Sequence, residues 1–386
     1  MEIMKPFLSL LALVTLCVSS SAQTRIDAVV KVDSVNREFI VAVPSTSPPS
    51  GGYPLVFMFH GTSQDGEQFY NESQWKEKGE EENFIAVFPT ALRYCMLEGS
   101  GQRTTTKWHT GEVDDSACPG QTIRDDNLFV QVMIDSIAAR YPIDRARIFA
   151  SGFSNGAGFA SKLAIQMSDV FSAVAVSGGS IHRLDSARPT RNIPYWFVLG
   201  TLDDKWLEGY VGLGLTEFPF NDSTLAYMRL SLRRGLGVFG LDTLYTKDSL
   251  GRTLTYTFAT PVISEPTEVY RFTLINNMFH VYPNGGNVPF VAANIFWEFF
   301  KGVVGPAGVP DDRRRADEIL LYPNPTSDYL IIAGEGEMTL TIRTILGNEV
   351  FRVAVSGGRR IDISQLPRGV YVADIGDGRA RMVVVQ

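Results

Sequence analysis

The sequence predicts an α/β fold, with a doubly wound and mostly parallel sheet, followed by a small C-terminal all-β sandwich. A length of 386 residues suits one large domain and one small domain. From residue 37 onward, short runs rich in Val, Ile and Phe alternate with amphipathic segments. After Lys301 this alternation stops and short strand-like runs separated by turns replace it.

The apolar runs of the first part are continuous, which is typical of parallel strands buried on both faces. They are Leu55–Phe59, Phe84–Phe88, Arg147–Ala150, Ala173–Val176 and Tyr195–Leu199. Between them, Asp126–Tyr141 places its apolar residues at helical spacing, and Val288–Phe300 predicts a closing helix. Strand and helix in alternation predict the doubly wound sheet, for which we expect residues 24–303.

A linker and a second domain are expected at the C-terminal end. Residues 304–317 combine Gly, Pro and a run of charged residues, which indicates an exposed linker. Residues 318–386 contain strand-like runs with Gly- and Asn-containing turns, which predicts a β-sandwich. These runs are Tyr329–Ile332, Met338–Ile342, Val350–Val355, Val370–Ile375 and Met382–Val385.

Residues 1–22 are expected to be a signal peptide. Lys5 precedes the apolar run Phe7–Val18, which is shorter than the ~20 residues needed to span a bilayer. Ser20 and Ala22 then supply small residues at positions −3 and −1 of a cleavage site. Lipidation of Cys17 is the alternative, but Leu16 stands where a lipoprotein signal has a small residue. No later segment is long and apolar enough to cross a membrane, so we expect a secreted or cell-surface protein.

Net charge and cysteine content further limit the functional class of the protein. The formal net charge of −7 argues against a nucleic-acid-binding protein, which would show a basic face. After signal removal Cys95 and Cys118 remain, and an even number in an oxidising compartment favours a disulfide. Two free thiols are the alternative. No His/Cys group has zinc spacing, so no metal and no cofactor is expected.

The segment from Gly152 to Gly156 contains the candidate nucleophile, Ser154. Gly-x-Ser-x-Gly allows a sharp turn between a strand and a helix, on which the serine hydroxyl stands above the sheet. An apolar run precedes the motif and Ala157–Ile165 can form the helix that must follow it. A Gly-Ser turn without chemistry is the alternative interpretation.

A serine nucleophile needs a histidine base and an orienting acid, which in this type of fold follow in the order serine, acid, histidine. Of the four histidines, His280 follows the predicted strand Val269–Ile275 and is our candidate base. Asp203, just after the strand Tyr195–Leu199, is the candidate acid, with Asp204 in reserve.

The oxyanion of the reaction needs preorganised donors. We expect the backbone N–H of Asn155, directly after the nucleophile, and that of Thr62 in the loop after the early strand. Gly61 would permit the close backbone approach. His60 is interpreted as a packed residue that shapes this loop, not as a base.

Six segments of the first part occur in a characteristic order. They are Pro54–Gly61, Arg124–Phe129, Tyr141–Ile148, Ser151–Gly156, Gly200–Asp203 and His280–Pro283. Together they resemble the polyhydroxybutyrate depolymerase–feruloyl esterase family of α/β hydrolases, close to carbohydrate esterase family 1. The resemblance covers roughly residues 24–303 and implies Ser154, Asp203 and His280 as the triad.

The resemblance also suggests substrate contacts and shows departures. Trp108 lies in a segment that resembles one near the family's active-site mouth, and Tyr282 follows the candidate base. Trp206 belongs to a long aromatic-containing stretch before His280, interpreted either as a substrate wall or as the core of a lid. Thr62-Ser63 replaces the family's usual Cys-Gly or Gly-Gly, and Ala157 stands where the family often has another Gly.

The C-terminal part resembles the sorting domain of the type IX secretion system of Bacteroidetes-type bacteria. The resemblance is carried by Leu321–Thr326, Ile345–Val350 and Ile361–Tyr371, and it implies export through that machinery by residues 318–386. A carbohydrate- or polymer-binding module is the alternative, but the last tryptophan is Trp297, so this part has no Trp for a stacking platform.

Together these features predict a secreted serine carboxylic-ester hydrolase that acts on an ester-bearing polysaccharide or polyester. Feruloyl or acetyl groups on xylan are the preferred substrates. A polyhydroxybutyrate depolymerase is the main alternative, and a catalytically inactive surface-binding protein is the alternative from another class. A peptidase is disfavoured because the related oligopeptidases carry a propeller domain that this length cannot hold.

Overall fold

The computed structural model describes most of the chain. The described residues are 22–99, 101–182, 188–205, 226–241, 243–259, 268–303, 320–322, 326, 328–333, 337–344, 348–356, 360–376 and 381–385. The predicted signal peptide up to residue 21, the predicted linker 304–317 and Trp206 lie outside them.

A ten-stranded mixed sheet forms the centre of the first domain. Its strands, in chain order, are β1 (Thr24–Val32), β2 (Val35–Val43), β3 (Tyr53–Phe59), β4 (Ile85–Pro89), β7 (Ile143–Phe153), β8 (Ala173–Ser177), β9 (Tyr195–Gly200), β10 (Thr246–Leu250), β11 (Thr253–Ala259) and β12 (Glu268–Ile275). The spatial order is β1-β2-β4-β3-β7-β8-β9-β12-β11-β10. In this spatial order the six central strands, β4-β3-β7-β8-β9-β12, pair in parallel. The strands at either end of the sheet pair antiparallel. The predicted doubly wound, mostly parallel sheet is therefore confirmed at its centre.

Helices cover both faces of this sheet. They are α1 (Gly66–Glu72), α2 (Trp75–Glu82), α4 (Asp126–Ala138), α5 (Asn155–Gln166), α6 (Ala226–Phe239) and α7 (Ala292–Lys301). The remaining described helix, α3 (Gly111–Ser116), packs through Val113 against Tyr94 and Met96 outside this sheet. Side chains of β3 alternate between two cores, with Phe57 in the one that includes α4, α5 and α6, and Met58 in the one that includes α1, α2 and α7. This explains why the strand sequences are apolar throughout, since neither face meets water.

The first-domain predictions were right about the buried strands and incomplete elsewhere. Four of the five apolar runs lie wholly within observed strands, and the fifth, Phe84–Phe88, begins one residue before β4. The closing helix begins at Ala292, four residues later than predicted, because residues 284–291 form turns closed by a bridge between Asn284 and Val291. The sequence did not predict β1, β10 or the separate hairpin of β5 (Arg93–Glu98) and β6 (Gly101–Thr106). Strands β10 and β6 are rich in polar residues and so lack an apolar pattern.

The C-terminal part forms two small antiparallel sheets around one apolar core, as predicted. The strands are β13 (Leu320–Tyr322), β14 (Tyr329–Ala333), β15 (Glu337–Thr344), β16 (Glu349–Ser356), β17 (Arg360–Asp362), β18 (Gly369–Asp374) and β19 (Arg381–Val385). The sheets have the orders β13-β14-β17 and β16-β15-β18-β19. Alternate residues such as Leu340, Ile342 and Val383 fill the core. Among the described residues, no helix is long and apolar enough to cross a membrane.

Candidate active site

Ser154 lies at the turn between β7 and α5, in a backbone conformation that few residues adopt. Its φ of 54° and ψ of −120° fall outside the ordinary regions for an L-residue. A Cβ at Gly152 would lie 2.3 Å from the Gly156 carbonyl oxygen, and one at Gly156 would lie 2.2 Å from that of Phe59. The two glycines therefore leave room for a turn that other residues would block, and such strained turns cluster at active sites.

The structure brings Ser154, His280 and Asp203 together. His280 Nε2 lies 2.9 Å from Ser154 Oγ, and His280 Nδ1 lies 2.8 Å from Asp203 Oδ2. Asp203 follows β9 and His280 follows β12, and these strands are parallel neighbours. The carboxyl ends of adjacent parallel strands meet at one edge of a sheet, so residues 77 apart in sequence become neighbours.

Several contacts fix the loop that carries the histidine. Arg252 Nη2 donates to the Asn276 carbonyl at 2.6 Å, and Asn277 N–H donates to Thr201 Oγ1 at 2.9 Å. A Cβ at Gly200 would lie 2.0 Å from the Met278 carbonyl oxygen, so this close approach requires glycine. The side chain of Asp203 is 1% exposed and that of His280 is 15% exposed. Water is therefore largely excluded from the hydrogen bond between them, which strengthens it.

Asp204, the reserve acid, lies elsewhere. Its carboxylate is half-exposed and lies 3.3 Å from Lys205 Nζ. Asp203 Oδ1 meanwhile accepts the Lys205 backbone N–H at 3.0 Å, which orients the carboxylate. The geometry therefore favours Asp203 over Asp204 as the partner of His280.

The two candidate oxyanion donors belong to two segments that lie next to Ser154. Asn155 is the first residue of α5, where a backbone N–H has no partner within the helix. Thr62 follows Gly61, at which a Cβ would lie 3.2 Å from Ser154 Cβ. The Gly61 N–H is occupied by Gln64 Oε1 at 2.9 Å, whereas the Thr62 N–H has no acceptor among the described residues. These are the donors that an oxyanion could accept from.

His60 lies in the core beside this loop. It is fully buried, its Nδ1 lies 2.7 Å from the Gly61 carbonyl oxygen, and its Nε2 accepts the Ala91 N–H at 3.0 Å. Burial lowers the pKa of His60 to about 4, so the ring is neutral at pH 7. Both nitrogens are thus engaged in holding backbone, in keeping with a residue that shapes the loop.

Trp108 and Tyr282, which are predicted to contact substrate, are both buried in the structure. Trp108 is 0% exposed and donates its indole N–H to the His60 carbonyl at 2.9 Å. Tyr282 is 7% exposed, and its hydroxyl accepts the Trp75 indole N–H at 2.9 Å. The sequence places both next to active-site motifs but does not reveal that their rings point into the core.

Asn155 and Trp108 are nevertheless linked. The Trp108 N–H donates to Asn155 Oδ1 at 2.7 Å, inside the protein. The next residue, His109, donates its N–H to Asp126 Oδ2 at 2.7 Å, while Asp126 Oδ1 accepts from Arg37 Nη2 at 2.6 Å. This buried ion pair and Asn155 together hold the segment 108–110 against the N-terminus of α5.

Cys95 and Cys118 form a disulfide, as predicted. It joins β5 to the segment after α3, beside a backbone hydrogen bond of 2.9 Å between Cys118 N and the Cys95 carbonyl. Among the described residues, no group of three or more His, Cys, Asp or Glu side chains is placed to hold a metal ion.

Sequence reasoning missed Gln64 and the residues of β6 that hold the Thr62 loop. Gln64 lies three residues after Gly61, within reach of the backbone of the same turn, and this closeness is the signal that could have identified it. Thr105 and Thr106 lie on a strand made of polar residues, where no hydrophobic pattern points to a role.

Two family models match this chain. Residues 44–188 match the model described as esterase PHB depolymerase, and residues 320–385 match the secretion system C-terminal sorting domain. Both resemblances seen in the sequence are thereby confirmed.

The chain is similar in sequence to three proteins that are named as esterases or as a depolymerase. The chain is 27% identical over 168 residues to a bifunctional acetylxylan esterase/xylanase of Neocallimastix patriciarum, covering 44% of this chain and 22% of that protein. It is 28% identical over 147 residues to poly(3-hydroxyalkanoate) depolymerase C of Paucimonas lemoignei, covering 37% and 32%. The match to feruloyl esterase B of Piromyces equi is 26% over 172 residues, covering 44% and 29%. The chain thus spans a third or less of the length of these relatives.

Among solved structures, an acetyl xylan esterase from Aspergillus awamori superposes with a TM-score of 0.49 and 15% identity. That superposition covers 72% of this chain and 99% of the other. A ferulic acid esterase from Anaeromyces mucronatus superposes with a TM-score of 0.43 and 15% identity, covering 75% and 93%.

Proposed function

We propose that this chain, which carries an esterase PHB depolymerase domain and a secretion system C-terminal sorting domain, is an exported serine carboxylic-ester hydrolase. The observation that carries the proposal is the continuous hydrogen-bonded row from Asp203 through His280 to Ser154, with distances of 2.8 and 2.9 Å. A nucleophile, a base and an orienting acid in this arrangement are what acyl transfer by serine requires.

The mechanism follows from the atoms that face each other. Ser154 Oγ attacks the ester carbonyl carbon while His280 Nε2 takes the hydroxyl proton. Asp203 accepts the Nδ1–H and so keeps the imidazole in the tautomer with a free Nε2. The oxyanion accepts hydrogen bonds from the N–H groups of Asn155 and Thr62, and the helix dipole of α5 adds positive potential there.

The second half of the reaction reuses the same groups. His280 gives its proton to the leaving alcohol oxygen as the carbon–oxygen bond breaks, which leaves an acyl-Ser154 ester. Water then attacks this ester with His280 as base, and the acid leaves as Ser154 regains its proton. No step requires a metal or an organic cofactor.

Feruloyl or acetyl esters on xylan are the proposed substrates. The proposal is supported by the acetylxylan esterase and feruloyl esterase names of two relatives. A polyester substrate is the second candidate, because the matched family model and another relative are named for polyester depolymerisation. Export by the type IX machinery through the sorting domain would bring the enzyme to such insoluble polymers outside the cell.

The test is hydrolysis of methyl ferulate, acetylated xylan and a polyhydroxybutyrate film by the full mature protein and by Ser154→Ala. Ser177→Ala is the matched control, because its hydroxyl is buried at the end of the neighbouring strand and has no partner among the described residues. We expect ferulate or acetate release that is lost in Ser154→Ala and kept in Ser177→Ala.

Other outcomes are equally informative. Film clearing alone would move the assignment to a polyester depolymerase. Turnover that persists in Ser154→Ala would exclude Ser154 as the nucleophile. Absence of turnover on all three substrates would favour the surface-binding alternative and overturn the esterase proposal.

A further inference from the structure

The loop His60–Gln64, here called the oxyanion loop, lies against the proposed nucleophile and is held from two sides. Glycine at position 61 favours this close approach, because a Cβ there would lie 3.2 Å from Ser154 Cβ and 2.6 Å from Gln64 Oε1. Its Thr62 N–H is the second proposed oxyanion donor. A donor improves catalysis only where it is fixed at the position of the developing charge, so the contacts that fix this loop matter to the reaction.

Gln64 holds the loop from within. Its Oε1 accepts the Gly61 N–H at 2.9 Å, and a Cβ at Gly61 would lie 2.6 Å from the same oxygen. This contact occupies the Gly61 donor and bends the chain back on itself, a turn that the Gln64 N–H closes on the Gly61 carbonyl at 3.3 Å. Thr62 is thereby left as the loop residue whose N–H is available.

Strand β6 holds the loop from outside through contacts that we call the Ser63 clasp, made by Ser63, Gln64, Arg103, Thr105 and Thr106. Ser63 Oγ lies 2.6 Å from Thr105 Oγ1 and accepts from Arg103 Nη2 at 2.7 Å. Ser63 N–H donates to the Thr106 carbonyl at 3.1 Å, and Thr106 Oγ1 donates to the Gln64 carbonyl at 2.7 Å. Four hydrogen bonds thus tie the two residues after Thr62 to one strand.

The backbone of Ser63 indicates that its hydroxyl has a role. Its φ is +67°, in the left-handed region that favours glycine. A glycine would adopt this conformation without strain, but it could not bond to Thr105 and Arg103. Strained residues of this kind persist where the surroundings hold them and cluster at functional sites.

The partner strand is itself firmly anchored. Thr105 is 2% exposed, and β6 pairs along its whole length with β5, which the Cys95–Cys118 disulfide ties to the chain after α3. Gln121 adds side-chain hydrogen bonds of 2.6 Å to both the N–H and the carbonyl of Cys95. The clasp therefore connects the oxyanion loop to a cross-linked hairpin and not to a free surface loop.

We propose that Gln64 and the Ser63 clasp are positioning elements that set the Thr62 N–H for the transition state, with Gln64 and Thr105 as the decisive side chains. The inference rests on the proposed function, because it assumes that Ser154 attacks an ester and that Thr62 N–H receives the oxyanion. Thr105 of β6 acts on this view as a positioning residue, through the oxyanion loop and not on the reacting groups themselves.

The experiment compares Thr105→Val, Thr105→Ser and Gln64→Met in the full mature protein. Val keeps the shape of Thr but removes the hydroxyl, whereas Ser keeps the hydroxyl. Thr104→Val is the matched control, because Thr104 is exposed on the same strand and its side chain takes no part in the clasp. The measurements are kcat and KM on the best ester found, and the rate at which bis(p-nitrophenyl) methylphosphonate inactivates the enzyme by forming a tetrahedral adduct.

We expect kcat to fall about ten- to a hundredfold in Thr105→Val and Gln64→Met, below the full loss of an oxyanion donor. KM should stay within about threefold, and the phosphonate rate should fall in parallel with kcat. Thr105→Ser and Thr104→Val should stay within about threefold of the wild type. The pH midpoint of kcat/KM should not move, because His280 and Asp203 are untouched.

The proposal is overturned if both Thr105→Val and Gln64→Met keep kcat within twofold, or if Thr105→Ser loses as much as Thr105→Val. If Thr105→Val does not fold, the Gln64→Met result alone decides, since Gln64 is only partly buried. Failure of the proposed function has a different signature, which is a wild-type protein without Ser154-dependent turnover.

Discussion

The side-chain oxygen of Asn155 lies 2.7 Å from the backbone nitrogen of Trp108, 47 positions earlier in the chain. Asn155 therefore has two separate roles in the proposed mechanism. Its backbone N–H faces the oxyanion, and its side chain ties the N-terminus of α5 to the segment 108–110. Asn155 is 6% exposed, so this hydrogen bond is made out of contact with water.

We expect Asn155→Leu to lower kcat about tenfold while the backbone donor itself remains. The Trp108 N–H would be left buried without a partner, which costs about 1–3 kcal/mol and shifts the segment. Asn155→Asp keeps an acceptor for Trp108 and should retain more of both activity and stability. The measurement is kcat together with the thermal midpoint, and equal losses in the two variants would contradict the role assigned to the side chain.

Replacement of Asp203 tests the orientation of the base. Asp203→Asn should lower kcat roughly 10³- to 10⁴-fold, because an amide can donate to Nδ1 and so favour the tautomer with the proton on Nε2. Asp204→Asn is the control, since Asp204 is half-exposed and pairs with Lys205. The measurement is kcat/KM of the two variants. Similar losses in both would exclude Asp203 as the specific partner of His280.

The proposed catalytic residues can be predicted from the sequence to the extent that chain order and strand ends constrain them. Ser154 is marked by the glycines of a strained turn, and His280 by its place after the last long apolar run. The pattern favours Asp203 but keeps Asp204 in reserve, because adjacent residues at a strand end differ only in where their side chains point. Only the three-dimensional structure supplies that direction.

Other parts of the site give no such sequence signal. Strand β6 consists of polar residues and glycine, and β5 has only Tyr94 and Met96 in a small apolar cluster with Val113 of α3. Trp108 is a residue type that often contacts substrate, but its ring is buried against Phe59 and Phe159. In both cases the role depends on contacts between distant segments, which hydrophobic periodicity does not encode.

Acid should destabilise the protein through His60. Its folded-state pKa of about 4 lies below the ordinary value of 6.5, so the unfolded chain binds more protons between these values. The contribution of neutral, buried His60 is fully present above pH 6.5 and is lost as pH falls towards 4. Between pH 7.5 and pH 4.5 this linkage amounts to about 2.5 kcal/mol of unfolding free energy.

His60→Gln isolates that contribution, because the amide can donate to the Gly61 carbonyl and accept from the Ala91 N–H without titrating. Urea unfolding of both proteins at pH 7.5 and pH 4.5 gives the comparison. We expect the wild type to lose about 2.5 kcal/mol more than the variant on acidification. An equal loss in both proteins would show that His60 does not titrate on unfolding in this range.

The disulfide should support activity as well as stability. Cys95 and Cys118 are 23 residues apart, and a loop of that size corresponds to about 3 kcal/mol of chain entropy in the unfolded state. Because β5 and β6 hold the oxyanion loop, reduction should lower kcat about tenfold with a smaller effect on KM. Activity is measured with and without dithiothreitol. The Cys95→Ser/Cys118→Ser double variant should be slow in both conditions and insensitive to the reductant, whereas a fast double variant would contradict the coupling.

The glycines of the turn at Ser154 give the sharpest steric test. Gly156→Ala would place a Cβ 2.2 Å from the Phe59 carbonyl oxygen and 2.3 Å from that of His60, and backbone cannot yield that far. We expect this variant to lose all measurable turnover and much of its soluble yield. Gly158→Ala is the matched control on the same helix, because its nearest neighbours are Thr110 Cγ2 at 3.6 Å and the Ser180 carbonyl oxygen at 3.7 Å.

Gly158→Ala should therefore keep kcat and raise the unfolding free energy by about 0.5–1 kcal/mol, since alanine loses less conformational entropy than glycine in a helix. The two variants differ by one methyl group each and lie two residues apart. Comparison of kcat and of the unfolding free energy from urea unfolding distinguishes a steric clash at the turn from a general effect of alanine in α5. If Gly156→Ala were as active as Gly158→Ala, the turn would not need the backbone contact that brings Phe59, His60 and Ser154 together.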